Sequence, residues 1–497
     1  SAASSAASTD AATVPPDTPP PDPMARHFPA PAEGWFTPAL APGRETYTSD
    51  DELLAQLRAV ADRGAATLTQ AGPSTQGRDL PVLHFSRGPG RPVALLIGQQ
   101  HGNEPATAEA LLVLAQRLAD RADPLSGVLD ELDVVLLPRA NPDGALRLQR
   151  GNADGQDVNR DHLLLATAEA RALADLVLRL DPVLFVDVHE FQALPRAWTA
   201  HGRAARHDLL VQYATTPNLD PALQQASERW FREALWQDAR AAGLSVDWYH
   251  VRTSDPARLA MGGVQPVLAR NAFGLRHAVA LLLESRGSDL GRRHLARRIH
   301  THVVALASVL RTAAQQASAL QGLRAAAAER MRQAACHGEL VVAAEPERTR
   351  RDVVLLDTAT GDERVREYFW DSALALAPTV VRPWPCAYWL HASAGAAVER
   401  LRRLGVQVQT LQAPRRLPVQ RYEQAGAPAA DMSSGPARAA MQLVPASLDA
   451  AAGDHLVPMT QPLAVLAAAA LEPGTGHDYV SNGLLPLAHL ARVMRAL

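Results

Sequence analysis

The sequence contains no lysine, because all 49 of its basic residues other than histidine are arginines. This absence excludes sites built on a P-loop lysine, a lysine Schiff base or a Ser–Lys nucleophile pair. Two cysteines, Cys336 and Cys386, are too few for an iron–sulfur cluster or a four-cysteine zinc site. Histidine, carboxylates, arginine, serine or a bound metal must therefore supply any chemistry.

Long hydrophobic runs and basic tracts are also missing. No apolar run reaches the roughly 18 residues that a membrane-spanning helix needs, so we expect no membrane span. The net charge of −3 argues against nucleic-acid binding, which depends on neutralising phosphates. With 47% hydrophobic and 20% charged residues in 497, the chain has the composition of a folded protein of several domains.

Composition divides the chain into four segments. The first is rich in Ala, Ser and Pro and predicts a flexible leader. We interpret it as what remains after removal of a secretory signal, which predicts a periplasmic or secreted protein, although a cloning remnant or an ordinary disordered terminus has the same composition. The predicted segments are a leader at 1–45, an α/β domain at 46–310, a helical linker at 311–337 and an α+β domain of unknown role at 338–497.

Alternating apolar runs and helix-like stretches characterise residues 46–310. We predict strands at Pro81–Phe85, Pro92–Ile97, Asp133–Leu137, Val183–Val188 and Ala278–Leu283, and helices at Glu52–Ala61, Ala106–Ala119, Ala166–Leu180 and Leu223–Ala242. This pattern favours an α/β fold with a mixed central sheet flanked by helices. A single long helix is expected over Ser288–Gln333. Beyond it, short strands are expected at Glu339–Ala343, Val353–Asp357, Val380–Leu390, Val406–Leu411 and Pro418–Tyr422.

Two predicted strands end in residues that bind metals. His101 and Glu104 follow the strand at Pro92–Ile97, and His189 ends the strand at Val183–Val188. Ligands of open α/β sheets bind at the carboxyl ends of strands. Two histidines, one carboxylate and one open position are the ligand set of catalytic zinc in hydrolases. Taken singly, the His–Glu pair also fits helix capping and His189 also fits a sheet-end histidine.

Two further segments suggest substrate recognition and acid–base chemistry. Arg150, Asn159 and Arg160 lie in a Gly-rich loop, where guanidinium groups suit a carboxylate or an oxyanion. Glu284 closes an apolar strand, where burial raises a carboxyl pKa and favours a general base. The loop residues also fit turn chemistry alone, and a salt bridge between Glu284 and Arg286 or Arg276 is the structural alternative.

In their order and context, these residues resemble those of the zinc metallocarboxypeptidases, the family of carboxypeptidases A and B. The resemblance covers about residues 46–310 and implies one Zn²⁺ per chain, held by His101, Glu104 and His189. It further implies that Glu284 is the general base for a metal-activated water and that Arg150 stabilises the oxyanion. Asn159 and Arg160 would bind the terminal carboxylate of a peptide, and Asp157 would orient His101.

One departure from the family pattern concerns a tyrosine that normally lies a little over twenty residues before the general base. Met261-Gly262-Gly263 stands there instead, and either Tyr249 or Tyr213 replaces the tyrosine or the group is missing. The pocket for the terminal side chain should draw on Asp255 to Asn271. Within it, Arg270 would favour acidic side chains if it points inward, or it pairs with Asp255 or Glu284.

The sequence thus predicts a zinc carboxypeptidase that acts on peptides or peptide-like substrates with a free C-terminal carboxylate. Two alternatives stay open: a zinc amidohydrolase that deacylates N-acyl amino acids, and a non-catalytic module that binds peptide or cell wall. Cys336 and Cys386 form either a disulfide or two buried free thiols.

Overall fold

The structure, a computed structural model, describes residues 21–424 and 441–497. Its strands are β1 (Ala66–Pro73), β2 (Asp79–Phe85), β3 (Val93–Gly98), β4 (Asp133–Leu137), β5 (Leu184–Phe191), β6 (Arg203–Ala205), β7 (Leu209–Tyr213), β8 (Val246–Trp248), β9 (His250–Arg252), β10 (Arg258–Met261), β11 (Val279–Arg286), β12 (Glu339–Asp357), β13 (Glu363–Pro383), β14 (Ala387–Leu390), β15 (Gln409–Thr410), β16 (Arg415–Gln424), β17 (Met441–Ala450), β18 (His455–Pro458) and β19 (Leu490–Val493).

The α-helices lie between these strands and beyond them. They are α1 (Asp50–Asp62), α2 (Ala106–Ala119), α3 (Pro142–Arg147), α4 (Ala168–Leu180), α5 (Arg196–Thr199), α6 (Pro221–Ala226), α7 (Glu233–Ala241), α8 (Ala269–Gly274), α9 (Leu295–Gln315), α10 (Ala317–Gln333), α11 (Gly395–Arg403) and α12 (Ala464–Leu471). A π-helical segment, Ser227–Arg232, joins α6 to α7. Within the described part of the chain, no helix is both long and apolar enough to cross a membrane.

The central sheet has eight strands in the order β1-β2-β4-β3-β5-β11-β7-β8. Strands β4, β3, β5 and β11 run parallel, whereas β1 pairs antiparallel with β2, β2 with β4, and β7 with β11. Strand β8 runs parallel to β7. Along β5, Leu184 and Val186 face one core and Phe185 the other. Helices α1, α2, α7 and α9 cover the first face, and α4 and α8 cover the second. The predicted mixed sheet flanked by helices is confirmed.

Local sequence explains where α1 begins. Ser49 accepts a hydrogen bond from the Glu52 backbone, and the Glu52 side chain accepts one from the Ser49 backbone, which forms a capping box. The predicted helix over Ser288–Gln333 is wrong in extent, because it begins at Leu295 and divides at Gln316 into α9 and α10. At Gln316 the backbone leaves the helical conformation, with φ −105° and ψ 16°, and this separates α9 from α10.

After residue 338 we expected only short strands, but the structure has a long hairpin of two strands, β12 and β13. Strands β12 and β13 join β6, β10 and β9 in a five-stranded sheet. Leu355 pairs with Ala205 and Phe369 with Arg258, so the hairpin is hydrogen-bonded to the α/β domain and not to a separate one. Strands β14 to β19 form their own six-stranded sheet. A disulfide between Cys336 and Cys386 joins the end of α10 to the start of that sheet.

Part of the predicted leader packs on the α/β domain. Met24 and Phe28 are buried against Ala204 and Leu356, and the Arg286 guanidinium lies 3.9 Å from the centre of the Phe28 ring. Ala39 is buried against α2 and α9. Residues 21–45 are therefore held by apolar and cation–π contacts, whereas residues 1–20 lie outside the described residues.

Candidate active site

The site begins where β3 ends and the chain turns towards α2. Gln99 adopts a positive φ of 51°, and His101 and Glu104 lie between that turn and the first residue of α2, Ala106. Gly102 approaches the neighbouring loop so closely that a Cβ atom would lie 2.0 Å from the Gly144 carbonyl carbon. Only glycine fits this contact, which holds the turn in place.

Three buried side chains converge on one point at the ends of β3 and β5. The Nδ1 atom of His101 lies 2.6 Å from a carboxylate oxygen of Glu104, and Nδ1 of His189 lies 3.0 Å from the other oxygen. The two Nδ1 atoms are 3.2 Å apart. Such a cluster of lone-pair donors suits a divalent cation, and two imidazoles with one carboxylate are the donor set that zinc prefers. The residues therefore fit the metal that the sequence predicted.

A carboxylate lies behind each histidine. Asp157 is 2.8 Å from Nε2 of His101, and Asp187 is 2.8 Å from Nε2 of His189. These contacts fix the ring orientation and leave Nδ1 to face the centre of the cluster. Although burial opposes it, the nearby His101 holds the pKa of Asp157 below its usual range. Sequence reasoning predicted Asp157 and missed Asp187, whose signal was a carboxylate in the middle of an apolar strand.

Glu284 lies beside the three donors because β11 pairs in parallel with β5, with Glu284 opposite His189. Its side chain is buried, and this burial raises its pKa from 4.5 to about 8. The alternative salt bridges do not form. Arg286 donates to the Ala205 carbonyl, and Arg276 donates to the Leu404 carbonyl and lies 3.6 Å from Asp181.

Glu284→Gln is expected to stabilise the metal-free protein at pH 8 more than at pH 5. The raised pKa means that the folded protein keeps a proton that the unfolded chain loses above pH 4.5. Stability from the neutral carboxyl is thus full below pH 4.5 and is lost as the pH rises to about 8, on the order of a few kcal/mol. Thermal melting of both metal-free proteins measures this. An equal difference in Tm at the two pH values would contradict it.

The segment between α3 and α4 lies along the same cavity. Arg150 is 3.0 Å from Asp157, while roughly half of its side chain stays exposed. Asn159 is buried and accepts a hydrogen bond from the Ala269 backbone at the start of α8. Arg160 donates to the Asn159 carbonyl and is exposed to the cavity. The predicted loop residues therefore share one cavity with the three metal-binding candidates.

Of the two candidate tyrosines, Tyr249 lines the cavity. Burial raises its pKa, and the nearby Glu284 carboxylate raises it further, so the phenol stays protonated. The Tyr213 hydroxyl instead donates to Glu228, and its ring packs edge-on against Trp248. Tyr249 is therefore the tyrosine that can contact a ligand in the cavity.

The cavity holds about 540 Å³ and opens between the central sheet and the long hairpin. One end contains His101, Glu104, His189 and Glu284. Val354 and Leu355 of β12 also line the cavity. This volume accommodates a short peptide segment beside the metal-binding side chains.

Comparison with known proteins agrees with these features. Residues 53–174 match the zinc carboxypeptidase family, Peptidase_M14. The chain is 29% identical over 430 residues to carboxypeptidase 2 of Trichophyton rubrum, covering 83% of this chain and 79% of the relative. It is 35% identical over 221 residues to the probable carboxypeptidase 2 of Arthroderma benhamiae, covering 44% of this chain and 42% of the relative.

Solved structures are more distant. The metallo-carboxypeptidase of Pseudomonas aeruginosa is 23% identical, with a TM-score of 0.43, and the match covers 55% of this chain and 70% of that one. Carboxypeptidase A of Helicoverpa armigera is 18% identical, with a TM-score of 0.41, covering 55% and 75%. From the family match over residues 53–174 and the similarity to curated carboxypeptidases, the chain carries a zinc carboxypeptidase domain.

Proposed function

We propose that this protein removes C-terminal residues from peptides and that Glu284 is its general base. The observation that carries the proposal is the convergence of His101, Glu104 and His189 within 4.8 Å of one another, next to a buried carboxyl at the end of a cavity. Metal donors alone would also suit a structural site. A neighbouring carboxyl with a raised pKa favours hydrolysis, because it can accept and return a proton near neutral pH.

One Zn²⁺ per chain, bound by the three donors, would polarise the scissile carbonyl and make a water molecule more acidic. Glu284 takes a proton from the water that attacks the carbonyl carbon. As the C–N bond breaks, Glu284 passes that proton to the leaving amine, so the carboxylate is restored. Asp157 and Asp187 keep the two imidazole rings aligned throughout.

Arg150 is the proposed partner for the negative charge that develops on the carbonyl oxygen. Its guanidinium donates a hydrogen bond to Asp157, and the rest of the side chain is exposed and lines the cavity. A positioned guanidinium stabilises such a charge without having to reorganise during the reaction. Tyr249, kept protonated by burial, supplies a further hydrogen-bond donor in the cavity.

Asn159 and Arg160 are the proposed binding site for the terminal carboxylate of the peptide. An arginine and an amide together can satisfy both carboxylate oxygens, and they hold the last peptide bond in a fixed position relative to the metal donors. Because Asn159 is tied to α8 through Ala269, its position is set by the fold and not by the substrate.

Arg160→Gln is expected to raise KM for a peptide with a free C-terminus roughly 10- to 100-fold, which is the range for losing one charged hydrogen-bond pair. Steady-state hydrolysis of Ala-Ala-Leu and of its C-terminal amide measures the effect. The wild type should strongly prefer the free acid, and the variant should lose this preference. A wild type that cleaves both substrates equally would contradict the proposed carboxylate site.

The deacylase and binding-module hypotheses make different predictions for the same assay. A deacylase would hydrolyse N-acetyl-leucine and leave Ala-Ala-Leu intact, because it recognises an acyl group and not a peptide. A binding module would bind the peptide without cleaving it. Rapid release of leucine from Ala-Ala-Leu by the zinc-loaded protein supports the carboxypeptidase.

We also propose that the protein works outside the cytosol. The disulfide between Cys336 and Cys386 supports this, because disulfides persist in oxidising compartments and are rare in the cytosol. Both the periplasm and the extracellular medium meet this condition.

A further inference from the structure

Arg270 is a buried arginine in the cavity that the proposed mechanism does not use. It lies in the first turn of α8, and only 3% of its surface is exposed. One of its guanidinium nitrogens donates to the Gly263 carbonyl at 2.6 Å. Its Nε atom is buried and has no hydrogen-bond partner among the described residues.

No carboxylate of the described residues lies within 4.0 Å of the Arg270 guanidinium, so neither predicted partner, Asp255 or Glu284, pairs with it. Burial lowers its pKa to about 10, which still leaves it charged at neutral pH. A buried charge without a partner is costly, and an anionic ligand would remove that cost. Two other cavity arginines have such a partner, because Arg150 contacts Asp157 and Arg206 contacts Glu363. Arg160 and Arg252 are exposed, so Arg270 is the buried one among those without a carboxylate partner in the described residues.

Arg270 lies near the groups proposed to bind the terminal carboxylate. The residue before it, Ala269, donates its backbone N–H to Asn159. Tyr249, Glu284 and Arg160 line the same cavity as Arg270. Their charges act on Arg270, with Tyr249 and Glu284 raising its pKa and Arg160 lowering it. A Cβ atom on Gly262 would lie 2.7 Å from the Arg270 guanidinium and 2.8 Å from the Tyr249 ring. Glycine at 262 therefore leaves room for both.

We propose that Arg270 binds the side-chain carboxylate of the C-terminal residue, so that this enzyme prefers peptides ending in glutamate or aspartate. The inference rests on the proposed function and specifies its substrate class. Such a residue carries two carboxylates, one for Asn159 and Arg160 and one for Arg270. A terminal lysine or arginine would bring a like charge against Arg270, and a terminal leucine would leave its buried charge unpaired.

Hydrolysis of Ala-Ala-Glu, Ala-Ala-Gln, Ala-Ala-Leu and Ala-Ala-Lys by the zinc-loaded enzyme tests the inference. Glutamate and glutamine have nearly the same shape, so their ratio of kcat/KM isolates the charge. We expect wild type to favour Glu over Gln roughly 10- to 100-fold, the range for one charged hydrogen-bond pair. In Arg270→Gln this ratio should fall towards one, and in Arg270→Lys it should be partly restored.

Arg252→Gln is the matched control. Arg252 lines the same cavity, but its charge interacts with Asp289 and not with Glu284 or Tyr249. The Arg252→Gln substitution removes one positive charge from the cavity and should leave the ratio of kcat/KM for the Glu and Gln peptides unchanged. A wild-type ratio of one or below overturns the inference without any variant. An equal fall of the ratio in both variants also overturns it, because the effect would then reflect the general field of the cavity.

Binding measurements separate this inference from the proposed function. Calorimetric titration of the Glu284→Gln protein with Ala-Ala-Glu and Ala-Ala-Gln needs no turnover. If the Glu peptide binds more tightly and this difference is lost when Arg270→Gln is added, the proposed role of Arg270 is supported. This holds even if wild type cleaves no peptide, in which case only the proposed function fails. If every peptide is cleaved and Ala-Ala-Glu and Ala-Ala-Gln bind equally, the proposed carboxypeptidase activity is supported and the role of Arg270 is overturned.

Discussion

Glu284→Gln is expected to lower kcat on Ala-Ala-Leu by about 10²- to 10⁴-fold, the contribution of general acid–base catalysis. The amide that replaces the carboxylate has nearly the same shape and cannot accept a proton. The surroundings of His101, Glu104 and His189 change little, so zinc content should match that of wild type. Steady-state kinetics together with elemental analysis of the same preparation measures both quantities.

Glu228→Gln is the control for this variant. Glu228 is a partly exposed carboxylate that bonds to Arg232 and Tyr213 on the far side of β7 from the cavity. Its replacement should leave kcat within about twofold of wild type. If Glu284→Gln kept full activity at wild-type zinc content, Glu284 would not be the base, and a different proton acceptor would have to be sought.

His189→Ala is expected to reduce bound zinc from one ion per chain to a small fraction after dialysis, and to abolish activity with it. The change removes one of three donors and leaves Asp187 buried beside an empty space. Asp187→Asn should give a graded effect, because loss of a carboxylate behind a metal-binding histidine weakens affinity about 10- to 100-fold. Zinc titration against a fluorescent chelator measures both affinities.

His201→Ala controls for the loss of an imidazole, since His201 is exposed and lies in the turn after α5. It should bind zinc as wild type does. Retention of a full zinc complement by His189→Ala would show that the ion binds elsewhere. Equal affinities for Asp187→Asn and wild type would instead show that the His189 ring is held by the backbone alone.

Much of the α/β domain could be predicted from local patterns. Helix α2 begins and ends as predicted, and each predicted strand of the central sheet begins and ends within three residues of the observed one. Strands buried on both faces give continuous apolar runs, and the polar residues that follow them mark the sheet edge where sites form. This is why His101, His189 and Glu284 could be selected before any contact was known.

Residues whose meaning depends on distant contacts were harder to assign. In the sequence, Asp187 is a single polar position within an apolar strand. Its role is visible only from its distance of 2.8 Å to Nε2 of His189. The sequence does not distinguish Tyr249 from Tyr213, because it does not determine which way a ring faces at the end of β7 or between β8 and β9. The sequence predicts only short strands where the long hairpin lies, since the partly exposed residues of β12 and β13 lack the apolar runs that mark buried strands.

The sequence by itself determined the donor types, their order along the chain and the strands that carry them, because burial pattern and residue chemistry are local properties. Only the tertiary structure decided that β11 lies against β5, that Tyr249 faces the cavity and that Arg270 is buried without a carboxylate partner. These features depend on strand pairing and on the packing of residues far apart in the chain. No local pattern encodes such pairings, because they follow from the free energy of the whole fold.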